Sequence, residues 1–244
     1  MFDLEQELSA AIRHFWQIRQ KQQSRQGEKT GKKDAGNRGA VTGGKHADGF
    51  IDLLSKILHQ AGIPDAQIYK AKKKTLPCYF RPSKDWDLIV KLDNDLIAVI
   101  EVKAHIGSFG NNFNNRVEEA LGSATDFWAA YSEATFKPST RPWLGYLIML
   151  EDHPKSTRPS KPKKLPHYPM RPEFQGISYA QRYEIFCERL VRERLYDATC
   201  FIMSSAKEGP QGKYSEPNVE IGFRNFAASL SARAGAFAKM RERS

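Results

Sequence analysis

Residues 86–103 read WDLIVKLDNDLIAVIEVK, and the reading of this stretch decides the fold. Two apolar runs flank the polar triplet Asp93-Asn94-Asp95, which is the pattern of a β-hairpin. Side chains two apart on a strand share a face, so Glu101 and Lys103 do. A three-residue turn sets Leu92 opposite Leu96 and Asp87 opposite Glu101, with Cβ atoms about 4.5–5.5 Å apart. A two-residue turn would send the two carboxylates to opposite faces. Like charges directly opposed are unfavourable, so this patch of two carboxylates and one amine calls for a cation. Mg²⁺ fits, because it takes one or two carboxylates and completes its shell with water and phosphate. The plainer alternative is a hairpin with a solvated charged face.

Upstream, residues 47–61 form an amphipathic helix, with Phe50, Leu53, Leu54, Ile57 and Leu58 in one stripe and Gly62-Ile63-Pro64 as its stop. Asp48 and Asp52 lie one turn apart on it. Short β-like runs follow at 66–71 and 77–80, separated by the basic run Lys70, Lys72, Lys73 and Lys74. Downstream, a long helix starts in or just after the string that holds Asn111, Asn112, Asn114, Asn115 and Arg116, and its buried face is Val117, Leu121, Ala124, Phe127, Trp128 and Tyr131. Asn115 with Glu118 three residues on has the form of an N-cap. That explains one of the four asparagines. Asparagine also reads adenine in the major groove, and arginine reads guanine or holds a phosphate. Residues 143–150 are an apolar run suited to a buried strand.

The charge balance narrows the partners. Lys and Arg number 38 against 28 Asp and Glu, a net charge of +10, which favours a polyanion such as nucleic acid. Cys78, Cys187 and Cys200 have no short spacing, which argues against a disulfide framework or a zinc site and for a reducing cytoplasm. No apolar run approaches the roughly 20 residues of a membrane helix, so no membrane partner is expected. The first segment, residues 2–20, reads as an amphipathic helix; residues 20–46 are basic and glycine-rich, either a flexible linker or an arm that orders on phosphates. Residues 153–172 hold six prolines and six Lys or Arg without an acid. Prolines stiffen such a loop, and Lys155, Arg158, Lys161, Lys163, Lys164 and Arg171 suit phosphate contacts that position rather than specify. A helix over 179–196, strands at 198–203 and 219–223 and an alanine-rich helix over 224–241 close the chain.

The set Asp87, Glu101 and Lys103 resembles the PD-(D/E)XK nuclease superfamily, departing from it only in Trp86, where that pattern has proline. More specifically, SFGNNFNNRVEEALGSA after EVKAHIG, with GGKHADGF at 43–50 and LPCYFRPSKDWD at 76–87, is similar to the XhoI family of type II restriction endonucleases, over about residues 43–190. The resemblance implies an α/β fold: a mixed β-sheet flanked by helices, with an αβββαβ core over 47–152, the helix and basic arm of 1–46 before it and the proline-rich loop and helical extension of 153–244 after it. It implies Mg²⁺-dependent cleavage of double-stranded DNA at the palindrome CTCGAG by a homodimer, in a bacterial cytoplasm, beside a cognate DNA methyltransferase. Carried onto this sequence, Asp87, Glu101 and the Val102 backbone carbonyl hold the metal, Asp48 is a further acid for it, and Lys103 orients the attacking water. Three rivals remain on sequence alone: a structure-specific repair or recombination endonuclease, a non-catalytic DNA-binding module, and an RNA-binding protein.

Overall fold

The computed structural model describes residues 2–30, 45–162 and 164–241. The greater part of the expected basic arm, including Lys32, Lys33 and Arg38, therefore lies outside the described residues, as does Lys163. At the centre stands a five-stranded mixed sheet. Its strands are β1 (Ile68–Tyr69), β4 (Leu88–Leu92), β5 (Asp95–His105), β6 (Trp143–Glu151) and β7 (Ala198–Ser204), in the order β1-β4-β5-β6-β7. The first three run antiparallel and the β5–β6 and β6–β7 pairs run parallel. A separate two-stranded hairpin, β2 (Thr75–Pro77) with β3 (Ser83–Asp85), is inserted ahead of β4. β6 is an unbroken apolar run because both its faces are covered.

Helices cover both faces. Helix α1 (Leu4–Thr30), α2 (Asp48–Gln60) and α6 (Phe223–Arg241) lie on one, where Ile12, Phe15, Leu54, Leu58, Phe226 and Leu230 meet Val90, Ile100 and Leu147. Helix α3 (Phe109–Ser132) and α5 (Tyr179–Arg192) lie on the other, where Ala124, Phe127, Tyr183 and Cys187 meet Ile89, Val99 and Ile148. A one-turn helix, α4 (Pro154–Thr157), follows β6.

Four local expectations are corrected. Helix α1 runs on to Thr30, through residues read as linker; Gln, Lys, Arg and Glu are good helix formers even without an apolar stripe. Residues 219–221 form a 3₁₀ turn instead of a strand, with the Asn218 side chain accepting from Glu220 N. The proline-rich loop opens with a helical turn, because Pro154 stands at the first helical position, where it costs no hydrogen bond. The fourth correction concerns the hairpin itself. Its turn holds two residues, Asp93 and Asn94, with Asp93 in the left-handed region at φ 50° and Leu92 opposite Asp95.

Candidate active site

That two-residue turn should have separated Asp87 from Glu101, and a β-bulge undoes the separation. Lys91 pairs with Leu96, but Val90 pairs with Ala98, so Ile97 is an extra residue on β5. Ile97 and Ala98 both enter the core layer of α1 and α2, whereas Leu96 and Val99 enter the other. Beyond the bulge Ile89 pairs with Val99 and Leu88 with Ile100, which carries Asp87 to the level of Glu101 on the α3 side of the sheet.

Asp87 is fixed from both ends. Beside it, Trp86 is buried edge-on against Phe127, ring centroids 5.6 Å apart, and donates its backbone N–H to Lys74 O at 2.9 Å. The Asp87 N–H donates to Ile100 O at 3.2 Å, and Asp87 Oδ2 accepts from Val102 N at 2.8 Å. A strand residue turns its N–H and C=O to the same side, so the Val102 carbonyl faces the Asp87 edge as well. Burial and the neighbouring Glu101 charge raise the Asp87 pKa, against the pull of Lys103, the Val102 N–H and Lys74.

Glu101 is 4% exposed and has an ammonium on each oxygen: Lys103 on Oε1 and Lys84 at 3.0 Å from Oε2. The second contact is electrostatic, since Oε2 receives no directed hydrogen bond. Lys103 is itself largely buried; burial alone would lower its pKa, but Glu101 and Asp87 outweigh it and hold the amine protonated. Glu101, Lys103, Lys84 and Arg116 line one open cleft with Phe80, Arg81 and Asp126. A buried carboxylate oxygen without a directed hydrogen bond, a second carboxylate across the register and a backbone carbonyl on the same edge suit a hard divalent cation that keeps room for water and phosphate. Among the described residues no group of three or more His, Cys, Asp and Glu side chains gathers, so such an ion would rest on two carboxylates.

His105, next on the same face of β5, is occupied otherwise. Its Nδ1 lies 2.6 Å from Tyr183 Oη, and burial holds its pKa down to about 4, so the ring is neutral at physiological pH.

The remaining sequence candidates are distributed unequally. Asp48 is exposed in the first turn of α2, which packs on the face away from Glu101, and its charge acts on His46. The Asn-rich string lies inside α3, whose start falls within the stretch where a helix start is expected. The helix starts at Phe109 after Ser108 at φ 47°, so Asn115 is within the helix and caps nothing. Asn114 and Asn115 are exposed and Asn112 is half-buried; the Asn111 side chain lies outside the described residues. Arg116 reaches the cleft and pairs with Glu119. Lys155, Arg158, Lys161 and Lys164 are exposed on the loop after β6, and Arg171 pairs with Glu173. The base of that loop is pinned by Ser160, which donates to Ile177 O and accepts from Arg182.

Sequence reading missed Lys84 and Asp126. Asp126 is buried on α3 and accepts from Tyr79 N and Phe80 N, both at 2.8 Å, and from Arg81 Nε at 2.7 Å, clamping the β2–β3 turn over the cleft. Ser83, Lys84 and Asp85 are all polar, so no apolar alternation marks this three-residue strand in the sequence.

Comparison with known proteins bears on the chain as a whole. A family model for restriction endonuclease XhoI matches residues 25–216. The type II restriction enzyme BstVI of Geobacillus stearothermophilus is 51% identical over 204 residues, covering 81% of this chain and 91% of that protein. The type II restriction enzyme XhoI of Xanthomonas vasicola is 40% identical over 183 residues, 74% of this chain and 72% of that protein. The type II restriction enzyme AbrI of Azospirillum brasilense is 44% identical over 158 residues, 64% of this chain and 70% of that protein. No solved structure matches the chain.

Proposed function

The chain belongs to the XhoI family of type II restriction endonucleases, and from that premise we propose that it is a Mg²⁺-dependent homodimer that cuts both strands of DNA at CTCGAG. The observation that carries the catalytic assignment is the bulge at Ile97, which brings Asp87 and Glu101 level with Lys103 beside them. The order α2, β1, β4, β5, α3, β6 supports reading the core as the αβββαβ unit of the PD-(D/E)XK superfamily, with β2–β3 as an insertion.

In this reading Asp87, Glu101 and the Val102 carbonyl hold the cation. When bound, that ion supplies positive charge at the scissile phosphate and acidifies a water. Lys103, kept protonated by its two carboxylate neighbours, directs the water and stabilises charge that develops on the phosphate oxygens. Glu101 fixes the ammonium that does this. The exposed Asn114 and Asn115 and the cleft-lining Arg116 on α3 are the candidates for base reading, and the loop lysines and arginines for phosphate contact. A palindrome asks for the same contacts twice, which a two-fold dimer provides. A companion methyltransferase of the same specificity would protect the host DNA.

The test uses two plasmids, one with a single CTCGAG and one without, each with Mg²⁺ and with chelator. A single metal-dependent cut in the first alone is the expected result. Cutting of both at a shared sequence would replace the specificity and keep the nuclease. Lys103→Ala should lower the single-turnover rate about 10²–10³-fold, the usual effect of losing one charge-stabilising group, while DNA binding persists. Normal cutting by that variant would remove Lys103 from the mechanism.

A further inference from the structure

Glu101 carries a second lysine that the nuclease motif does not contain. Lys84 comes from β3, paired with Leu76 of β2, in a hairpin outside the main sheet. Its ammonium is held on three sides: Glu101 Oε2 at 3.0 Å, Asp85 O at 3.2 Å and the Trp86 ring, 4.6 Å to the centroid. Its side chain is 13% exposed, against 23% for Lys103. The hairpin that delivers it is tied down by the Asp126 clamp and by Thr75 Oγ1 donating to Asp85 Oδ1 at 2.5 Å. So much scaffolding around one lysine is more than a solvated surface charge needs.

A carboxylate as buried as Glu101 is strongly destabilising when its positive partners are removed. Lys84 and Lys103 together bring two positive charges, the charge of one Mg²⁺ ion, to the two oxygens of this side chain. Lys103 is committed to the reaction in the reading above. The Lys84 contact is the replaceable one, because it lacks a directed hydrogen bond at Oε2 and its four-carbon stem can swing. An ammonium and a divalent cation cannot share that oxygen without repulsion.

We propose that Lys84 is a positioning residue that stands in for the metal: it holds the Glu101 carboxylate in the cleft before Mg²⁺ arrives and gives up Oε2 when the ion binds. The inference rests on Glu101 being a metal ligand. Ion loading then releases an ammonium at the mouth of the cleft, beside Arg81 and Phe80, where the phosphodiester must enter. Metal and lysine thus act as antagonists at one oxygen, and linkage makes the antagonism reciprocal.

The test is made on the full chain without DNA. Lys84→Met keeps an unbranched apolar side chain and removes the charge. In chelator the variant should melt below the wild type. In saturating Mg²⁺ the gap should close, and calorimetry should show Mg²⁺ bound roughly tenfold more tightly by the variant, within the ordinary range of coupling between sites. Lys84→Arg, which retains the charge, should return to wild-type affinity. A melting gap that is the same with and without Mg²⁺, together with equal affinities, overturns the proposal and makes Lys84 a structural lysine. Should Lys84→Met fail to fold, Lys84→Gln is measured by the same pair of readouts and judged by the same outcomes. Absence of any Mg²⁺ binding by the wild type would instead remove the metal site, and this proposal with it.

Discussion

Asp87, the proposed metal ligand, works against the fold that carries it. Burial and Glu101 raise its pKa in the folded protein. The stabilising form is then the neutral one: its contribution is complete below the unfolded value near ~4 and is lost as the pH rises through the folded value. At neutral pH without metal, the ionised carboxylate opposes folding. Asp87→Asn should therefore melt higher than the wild type in chelator at pH 7, by a few degrees, at about 2–4 °C per kcal/mol for a chain of this size. The advantage should shrink as the pH is lowered toward ~4, where the wild-type carboxyl becomes neutral as well. The variant should be dead in cleavage and indifferent to Mg²⁺ in melting, whereas Mg²⁺ should stabilise the wild type. A variant that melts lower in chelator at pH 7 would mean that Asp87 is net stabilising and that its hydrogen bond from Val102 outweighs the buried charge. His105 gives the opposite case on the same strand: pushed down to about 4, it stays neutral and serves packing.

At the scale of elements, the hairpin was legible and its register was right for the wrong reason. The apolar runs on either side of Asp93-Asn94-Asp95 announce two strands, and the opposition of Asp87 and Glu101 follows from a three-residue turn. The molecule reaches the same opposition through a two-residue turn and a bulge. Sequence could not separate these, because Leu96, Ile97, Ala98 and Val99 are all apolar and the strand is buried on both faces, so no polar residue marks the break in alternation. The exact start of α3 is illegible for a similar reason: Asn and Gly are poor in helices, which favours Asn115 as a cap, yet Phe109 and Phe113, packed against Tyr179, hold earlier turns in place. Where burial and periodicity agreed, as in α2, β6 and α5, the expected elements and the observed ones differ by a few residues at their ends. The bulge makes a paired prediction. Deleting Ile97 leaves the remaining pairs in a single register with Asp87 still level with Glu101. The deletion should cost about 2–4 kcal/mol of stability, the usual price of an emptied core position, and the folded variant should still cut. An alanine inserted after Val99 has no such slack and turns Glu101 to the wrong face. Urea midpoints would show which variants are folded, and single-turnover rates which are active; a folded insertion variant that cuts would end the register argument.

On the proposed reading, the whole molecule separates catalysis from attachment. The carboxylates Asp87 and Glu101 and the amine of Lys103 sit at the interior strands of the sheet, while the exposed lysines and arginines of the loop after β6 stand on a stiff, proline-rich segment pinned at its base by Ser160. In a chain of net charge +10, such a loop should add affinity without adding specificity, since each phosphate neutralised releases counterions and lowers the slope of log K against log salt by about 0.9. Replacing Lys155, Arg158, Lys161 and Lys164 by glutamine should therefore weaken DNA binding at low salt and flatten that slope by roughly 3–4 for each protomer on the duplex. A two-fold dimer engages two loops, so the change should be about twice as large, which makes the same titration a count of protomers. The preference for the cognate site over an unrelated duplex should not move. A fall in that preference with an unchanged slope would show the loop reading bases rather than phosphates. A slope change matching a single loop would show a monomer, or an asymmetric complex, on the DNA.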